Sequence, residues 1–150
     1  MSTPQERIEN NKKVEYISKL AAGKSKDAFE YLIDLSSALR IIDDIFDEFN
    51  NVSAQQCCCL CELLFIKIPA NNFYKTHQDL LFSQHITMWN AWEISNVLSQ
   101  GDELDKLYSH VLRDYANEVL PLVALLTQGH DKMKEVNGIV RSLFKKQIGE

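Results

Sequence analysis

The spacing of apolar residues constrains this chain more than any other feature, because they recur every three or four positions over long stretches. One series occupies residues 28 to 49 and consists of Leu32, Leu35, Leu39, Ile42, Ile45, Phe46 and Phe49. Steps of three and four place side chains on one side of an α-helix, whereas a half-buried strand would require alternation. Only 5 Gly and 3 Pro occur in 150 residues, which leaves little turn-forming sequence for a β architecture. We therefore predict an all-α fold.

Start and stop signals divide the chain into five or six amphipathic helices. Predicted starts carry a side-chain cap at Thr3, Ser25, Ser53 and Asp102, and Asp131 opens the last helix. Predicted stops lie at Gly23, Asn50 with Asn51, Pro69, Gly101 and Gly129. The helices should run from Pro4 to about Ala22, Ala28 to Phe49, Ser53 to Ile68, Phe73 or Thr76 to Ser99, Asp102 to Gly129, and Asp131 to about Gln147. Pro121 predicts a kink near Glu118. No linker or repeat interrupts the pattern, so we predict a single-domain bundle spanning residues 1–150.

The third predicted helix is apolar on nearly every side from Cys57 to Ile68. Such a helix is normally buried centrally, so we predict a core hairpin with its neighbours and keep a subunit interface as the alternative. The helix holds all four cysteines, which are Cys57, Cys58, Cys59 and Cys61. Adjacent helical residues point about 100° apart, so these thiols cannot all reach one metal ion. We interpret them as reduced, buried small hydrophobes.

The segment Asp43-Asp44-Ile45-Phe46-Asp47 has a spacing that suits metal binding. Carboxylates at positions i, i+1 and i+4 of a helix can hold Mg²⁺, which takes oxygen ligands and bridges to phosphates. The segment resembles the aspartate-rich DDxxD motif of class I isoprenoid synthases, an all-α family that binds a substrate diphosphate through Mg²⁺ ions. The resemblance implies a Mg²⁺-dependent enzyme acting on a diphosphate, with Asp43 and Asp47 as metal ligands and Asp44 between them.

Helical geometry supports a different interpretation of the same acids. Asp44 and Asp47 fall opposite the apolar series that contains Leu35 and Ile42, and Asp43 falls near its edge. These carboxylates would then form a solvated acidic surface that binds no cofactor. We take this as the main interpretation and keep the Mg²⁺-dependent enzyme as the alternative.

His85, Trp89 and Trp92 share one face of the fourth predicted helix, because they lie at positions i, i+4 and i+7. An aromatic face at this spacing is typical of core packing and also of surfaces that bind another protein. We therefore take these three residues as the candidate interaction surface.

The net charge and the absence of long apolar runs in the sequence exclude some classes of function. A net charge of −5 disfavours broad attraction to nucleic acid or to an anionic membrane. No run of about 18 apolar residues occurs, and residues 1–13 lack an apolar signal core, so we expect a cytoplasmic location. Together with the surplus of apolar surface, this predicts a non-enzymatic helical bundle that acts through protein–protein association, as a homo-oligomer or with a protein partner.

Overall fold

The computed structural model describes residues 2–144, and all regular structure within that range is helical. The helices are α1 (Pro4–Ala22), α2 (Lys26–Asp47), α3 (Ala54–Glu62, continued by Leu63–Lys67 and Ile68–Ala70), α4 (Asn72–Thr76), α5 (Gln78–Leu98), α6 (Glu103–Asp114, continued by Tyr115–Glu118 and Val119–Gln128) and α7 (His130–Phe144). A short 3₁₀ turn, Phe49–Asn51, follows α2. The all-α prediction is confirmed, and α4 is one short helix more than the sequence predicted.

Most of the predicted starts and stops have the expected local geometry. Thr3, Ser25, Ser53 and Asp102 each cap a helix through the side chain. At Ser53 the backbone N–H donates to the Gln56 side chain over 2.8 Å, and the Gln56 N–H donates to Ser53 Oγ over 3.1 Å. Gly23 and Gly129 end their helices with φ of 58° and 97°, a region that glycine enters without the steric cost of a Cβ.

The predicted end of α3 at Ile68 is wrong, because the helix passes through Pro69 and ends at Ala70. Residues Leu63–Lys67 form a π turn, in which the Ile68 N–H donates to the Leu63 carbonyl. The wider turn leaves space for the proline ring, which would clash with the preceding turn of a regular α-helix. It also places Leu63 and Ile68, both 4% exposed, on the same side of α3.

Asn71 fixes where α4 begins, and an interruption at His77 separates α4 from α5. The Asn71 side chain accepts from the Tyr74 N–H at 3.0 Å and donates to the Asp27 carbonyl at 2.9 Å, so it caps α4 and ties it to the start of α2. Near Glu118, where Pro121 predicted a kink, the α-helix is interrupted by the 3₁₀ segment Tyr115–Glu118. The predicted end of the last helix, near Gln147, lies outside the described residues.

The chain forms two compact units, Met1–His77 and Gln78–Glu150. In the first unit the fully buried Tyr31 of α2 lies 5.9 Å from Phe73 and 6.0 Å from Tyr74, measured between ring centroids. Burial, with a smaller contribution from Tyr74, raises the pKa of Tyr31. Ile17 and Ala21 of α1 are also fully buried in the folded chain. The prediction of one domain over residues 1–150 stays a prediction.

In the second unit the tightest packing joins the last part of α6 to α7. The buried side chains are Val119, Leu120, Val123 and Ala124 of α6 and Val136, Val140 and Phe144 of α7. Arg141 of α7 forms ion pairs with Asp114 and Glu118 of α6. No helix between residues 2 and 144 has the length and apolar content to cross a bilayer.

Candidate interaction surfaces

The predicted acidic segment ends α2. Asp44 Oδ1 lies 3.4 Å from Arg7 Nη2 of α1, Asp43 is half-buried and Asp47 is exposed. Within residues 2–144 no group of three or more His, Cys, Asp or Glu side chains is arranged to hold a metal ion. Magnesium binding by Asp43, Asp44 and Asp47 therefore stays a prediction, and the described residues show no converging set of ligands around them.

The apolar series of α2 is buried only in its first half, which corrects the expected core. Leu32 and Leu35 are buried, whereas Phe46 and Phe49 are 54% and 73% exposed. Helix α1 presents polar side chains to the second half of α2. Besides the Arg7–Asp44 pair, Arg40 of α2 donates to Asn11 of α1. The contrast between an acidic outer side and an apolar inner side is therefore lost at this end of the helix.

The prediction that the cysteines are buried is wrong, since all four are exposed. Of the side chains on α3, Leu63 and Ile68 alone are buried, because the helix uses one side to pack against α2. Phe65 is 77% exposed, and Leu64 and Ile66 are exposed as well. The sequence could not distinguish a helix that is apolar all round and buried from one that is apolar all round and half uncovered.

The exposed face of α3 is almost uncharged. Among residues 54–66 the sole charged residue is Glu62. Lys67 follows at the end of the π turn and lies near Asp34 of α2. Burial raises the pKa of the Asp34 carboxyl, Lys67 lowers it in part, and Glu30 raises it further. The Lys67 charge therefore acts on α2, and the outer face carries the single charge of Glu62.

The predicted aromatic face on α5 lies at the boundary of the buried region. The ring centroids of Trp89 and Trp92 are 5.2 Å apart, Trp89 is exposed, and Trp92 and His85 are half-buried. Burial lowers the pKa of His85. Exposed Phe82 and Ile86 extend this face at helical spacing, so the apolar surface is larger than the three predicted residues.

Sequence reasoning missed a further surface on the first part of α6. Most of the large apolar residues here are exposed, while Leu112 is half-buried; the exposed ones are Leu104, Leu107, Tyr108, Val111 and, just after the segment, Tyr115. Their steps of three and four form one stripe, and Ser109 is the buried residue of Glu103–Asp114. The spacing was visible in the sequence, but spacing does not show whether a stripe faces the core.

Polar contacts hold the other side of this segment to α5. Ser109 Oγ donates to the Ser95 carbonyl at 2.7 Å, and Arg113 donates to Asn96 Oδ1 at 2.6 Å and to Ser95 Oγ at 3.3 Å. Ser95 and Asn96 are themselves buried. The first part of α6 is thus fixed through hydrogen bonds, with its apolar stripe in solvent.

No protein-family model, curated protein or solved structure matches this chain.

Proposed function

We propose that this chain is a non-enzymatic helical protein that acts through protein–protein association, and that it associates with a second copy of itself. The observation that carries the proposal is the exposed apolar face of α3, made of the four cysteines with Leu64, Phe65 and Ile66. Contiguous exposed apolar surface of this kind is typical of interaction sites, because leaving it in water is unfavourable.

The charge distribution favours a second copy over a charged partner. Each chain has a net charge of −5, so two copies repel wherever their acidic surfaces approach. The outer face of α3 brings little of that repulsion, because Glu62 is its sole charge between residues 54 and 66. A strongly basic partner would find a single carboxylate, Glu62, to pair with on this face.

The test is the mass of the particle in solution, measured by size-exclusion chromatography with light scattering over a range of concentrations. We expect a reversible dimer of twice the 17.3 kDa chain mass. The exposed face of α3 is only a few turns long, and a standard interface buries about 800 Å² per partner, so the dimer should dissociate on dilution. A monomer at every concentration would overturn the proposal.

Two matched variants show whether α3 carries the contact. Phe65→Glu places a charge on the outer face of α3 and should yield a monomer, because burying an unpaired carboxylate is costly. Phe82→Glu makes the same substitution on an exposed ring of α5 and should leave the dimer intact. Far-UV circular dichroism checks that both variants remain helical. The reverse result would assign the contact to α5 and reject α3.

A further inference from the structure

We infer that two copies pair through α3 in antiparallel orientation, about a two-fold axis that passes midway between Cys58 and Cys61. This inference rests on the proposed self-association and adds the register and the direction of the contact. It is carried by the order of side chains along the outermost line of α3.

That line consists of Ala54, Cys58, Cys61 and Phe65, which are separated by steps of four, three and four residues. All four side chains are exposed, and they lie opposite the side of α3 that contacts α2. Alternating steps of four and three form the seam along which two helices interlock their side chains. Three of the four residues are small, so the two backbones can approach closely.

A two-fold contact requires that each residue meet its counterpart reciprocally, so that i contacts j and j contacts i. An axis between Cys58 and Cys61 places Cys58 opposite Cys61 of the partner subunit. The same axis places Ala54, the smallest side chain of the seam, opposite Phe65 of the partner subunit, the largest. Pairing small with large fills the contact evenly at both ends, as close packing requires.

The parallel arrangement fits less well. It would oppose Ala54 to its own copy at one end, leaving a gap, and Phe65 to its own copy at the other, where two rings would compete for one space. It would also align the two helix dipoles, whereas antiparallel helices oppose them. Size and electrostatics both favour the antiparallel pair.

The residues beside the seam are compatible with the same axis. A two-fold axis between antiparallel helices brings each side of the seam against the same side of the partner's seam. Glu62 lies on the same side of α3 as Gln55, so it comes to lie beside Gln55 of the partner subunit. The two Glu62 carboxylates are then offset by about five residues along the seam, so no like charges lie directly opposite each other.

The adjacent cysteines allow a direct test. Three triple variants each keep one cysteine: C57A/C59A/C61A keeps Cys58, C57A/C58A/C59A keeps Cys61, and C57A/C58A/C61A keeps Cys59. Alanine keeps the face apolar and favours the helix. Light scattering first measures the dimer content of each reduced variant. Diamide then oxidises the thiols, so that two thiols lose two protons and two electrons to its N=N bond and form one disulfide.

Neither the variant that keeps Cys58 nor the one that keeps Cys61 should form a covalent dimer alone, while their equimolar mixture should do so on a non-reducing gel. The geometric reason is that a disulfide needs Cα atoms within about 7 Å, which the antiparallel register provides for the mixed pair. The variant that keeps Cys59 serves as the control, because Cys59 points about 100° away from Cys58 and about 160° away from Cys61. It should remain uncross-linked alone and in either mixture.

The failures are distinguishable. Cross-linking of Cys58 to its own copy would show a parallel pair and overturn the inference, while the proposed self-association stands. Preferential cross-linking through Cys59, or a dimer by light scattering with no cross-link in the mixture, would place the contact on another face. A parent chain that is monomeric at all concentrations would overturn the proposed function and this inference together.

Discussion

The two parts of α6 bury opposite kinds of side chain, although both are amphipathic. In Glu103–Asp114 the one buried residue is the polar Ser109, which is hydrogen-bonded to α5 as is the half-buried Arg113, and the apolar stripe is exposed. In Val119–Gln128 the buried side is apolar and packs against α7. The 3₁₀ segment Tyr115–Glu118 separates the two parts. An apolar stripe in a sequence therefore predicts a face that is unfavourable to leave in water. It does not predict that another helix of the same chain packs against that face.

The contact partner decides which side is buried. Helix α7 presents Val136, Val140 and Phe144 to the second part of α6, so burying valine and leucine there removes apolar area on both helices from water. Helix α5 presents Ser95 and Asn96 to the first part, and a polar surface of that kind selects serine and arginine instead. The hydrophobic effect stabilises the contact between α6 and α7, whereas the contact between α6 and α5 depends on satisfied hydrogen bonds.

The largest expected difference within this comparison comes from two valines of α6. Val123 is fully buried and Val111 is 52% exposed. Val123→Ala removes packed methyl groups and should lower the free energy of unfolding by about 2 kcal/mol. Val111→Ala should change it by less than about 0.5 kcal/mol. Urea unfolding followed by tryptophan fluorescence measures both, since Trp89 and Trp92 lie in the same unit.

These measurements belong at a concentration at which the chain is monomeric by light scattering. Equal losses in the two variants would contradict the comparison, because they would mean that the stripe containing Val111 is covered in the monomer as fully as Val123.

A smaller effect should come from the polar contact. Arg113→Met retains the apolar length of the side chain but leaves the carbonyl oxygen of buried Asn96 without the guanidinium that donates to it. We expect the free energy of unfolding to fall by about 1 to 2 kcal/mol, the cost of a buried polar group that loses its partner. Lys106→Met, an exposed position on the same segment, is the matched control and should have little effect. If Arg113→Met left the free energy of unfolding unchanged, the hydrogen bonds of Arg113 would not stabilise the contact of this segment with α5.

The smallest expected effect is a pH dependence at His85. Burial lowers its pKa from the ordinary value of 6.5, so between the two values the unfolded chain binds a proton that the folded chain does not. The contribution of neutral, buried His85 to the free energy of unfolding is therefore complete above pH 6.5, and it is lost as the pH falls below that value. Replacing this side chain, His85→Gln, should flatten the decrease in the free energy of unfolding from about pH 7.5 to about pH 5.5.

The control for that prediction is His110→Gln, which alters an exposed histidine of α6. It should leave the pH dependence of the parent chain unchanged. If His110→Gln flattened the pH dependence of the free energy of unfolding more than His85→Gln does, the buried histidine would be the one on α6 and not the one on α5.

Local chemistry made much of the fold predictable. The caps at Thr3, Ser25, Ser53 and Asp102 and the left-handed glycines at Gly23 and Gly129 act within one turn of chain, so their residues alone define helix ends. The interruption of α6 before Pro121 is equally local. The π turn before Pro69 was not predictable, because it depends on Leu63 and Ile68 both finding the buried side next to α2.

The sequence by itself determined that this chain is helical and where most of its helices begin, because those choices depend on side chains within a few positions of one another. Only the tertiary structure decided which apolar faces are covered. Four exposed cysteines on α3 and an exposed stripe on α6 follow from what the neighbouring helices present, namely one packing side along α2 and a polar surface on α5. Burial is a property of two surfaces together, and a periodic pattern specifies only one of them.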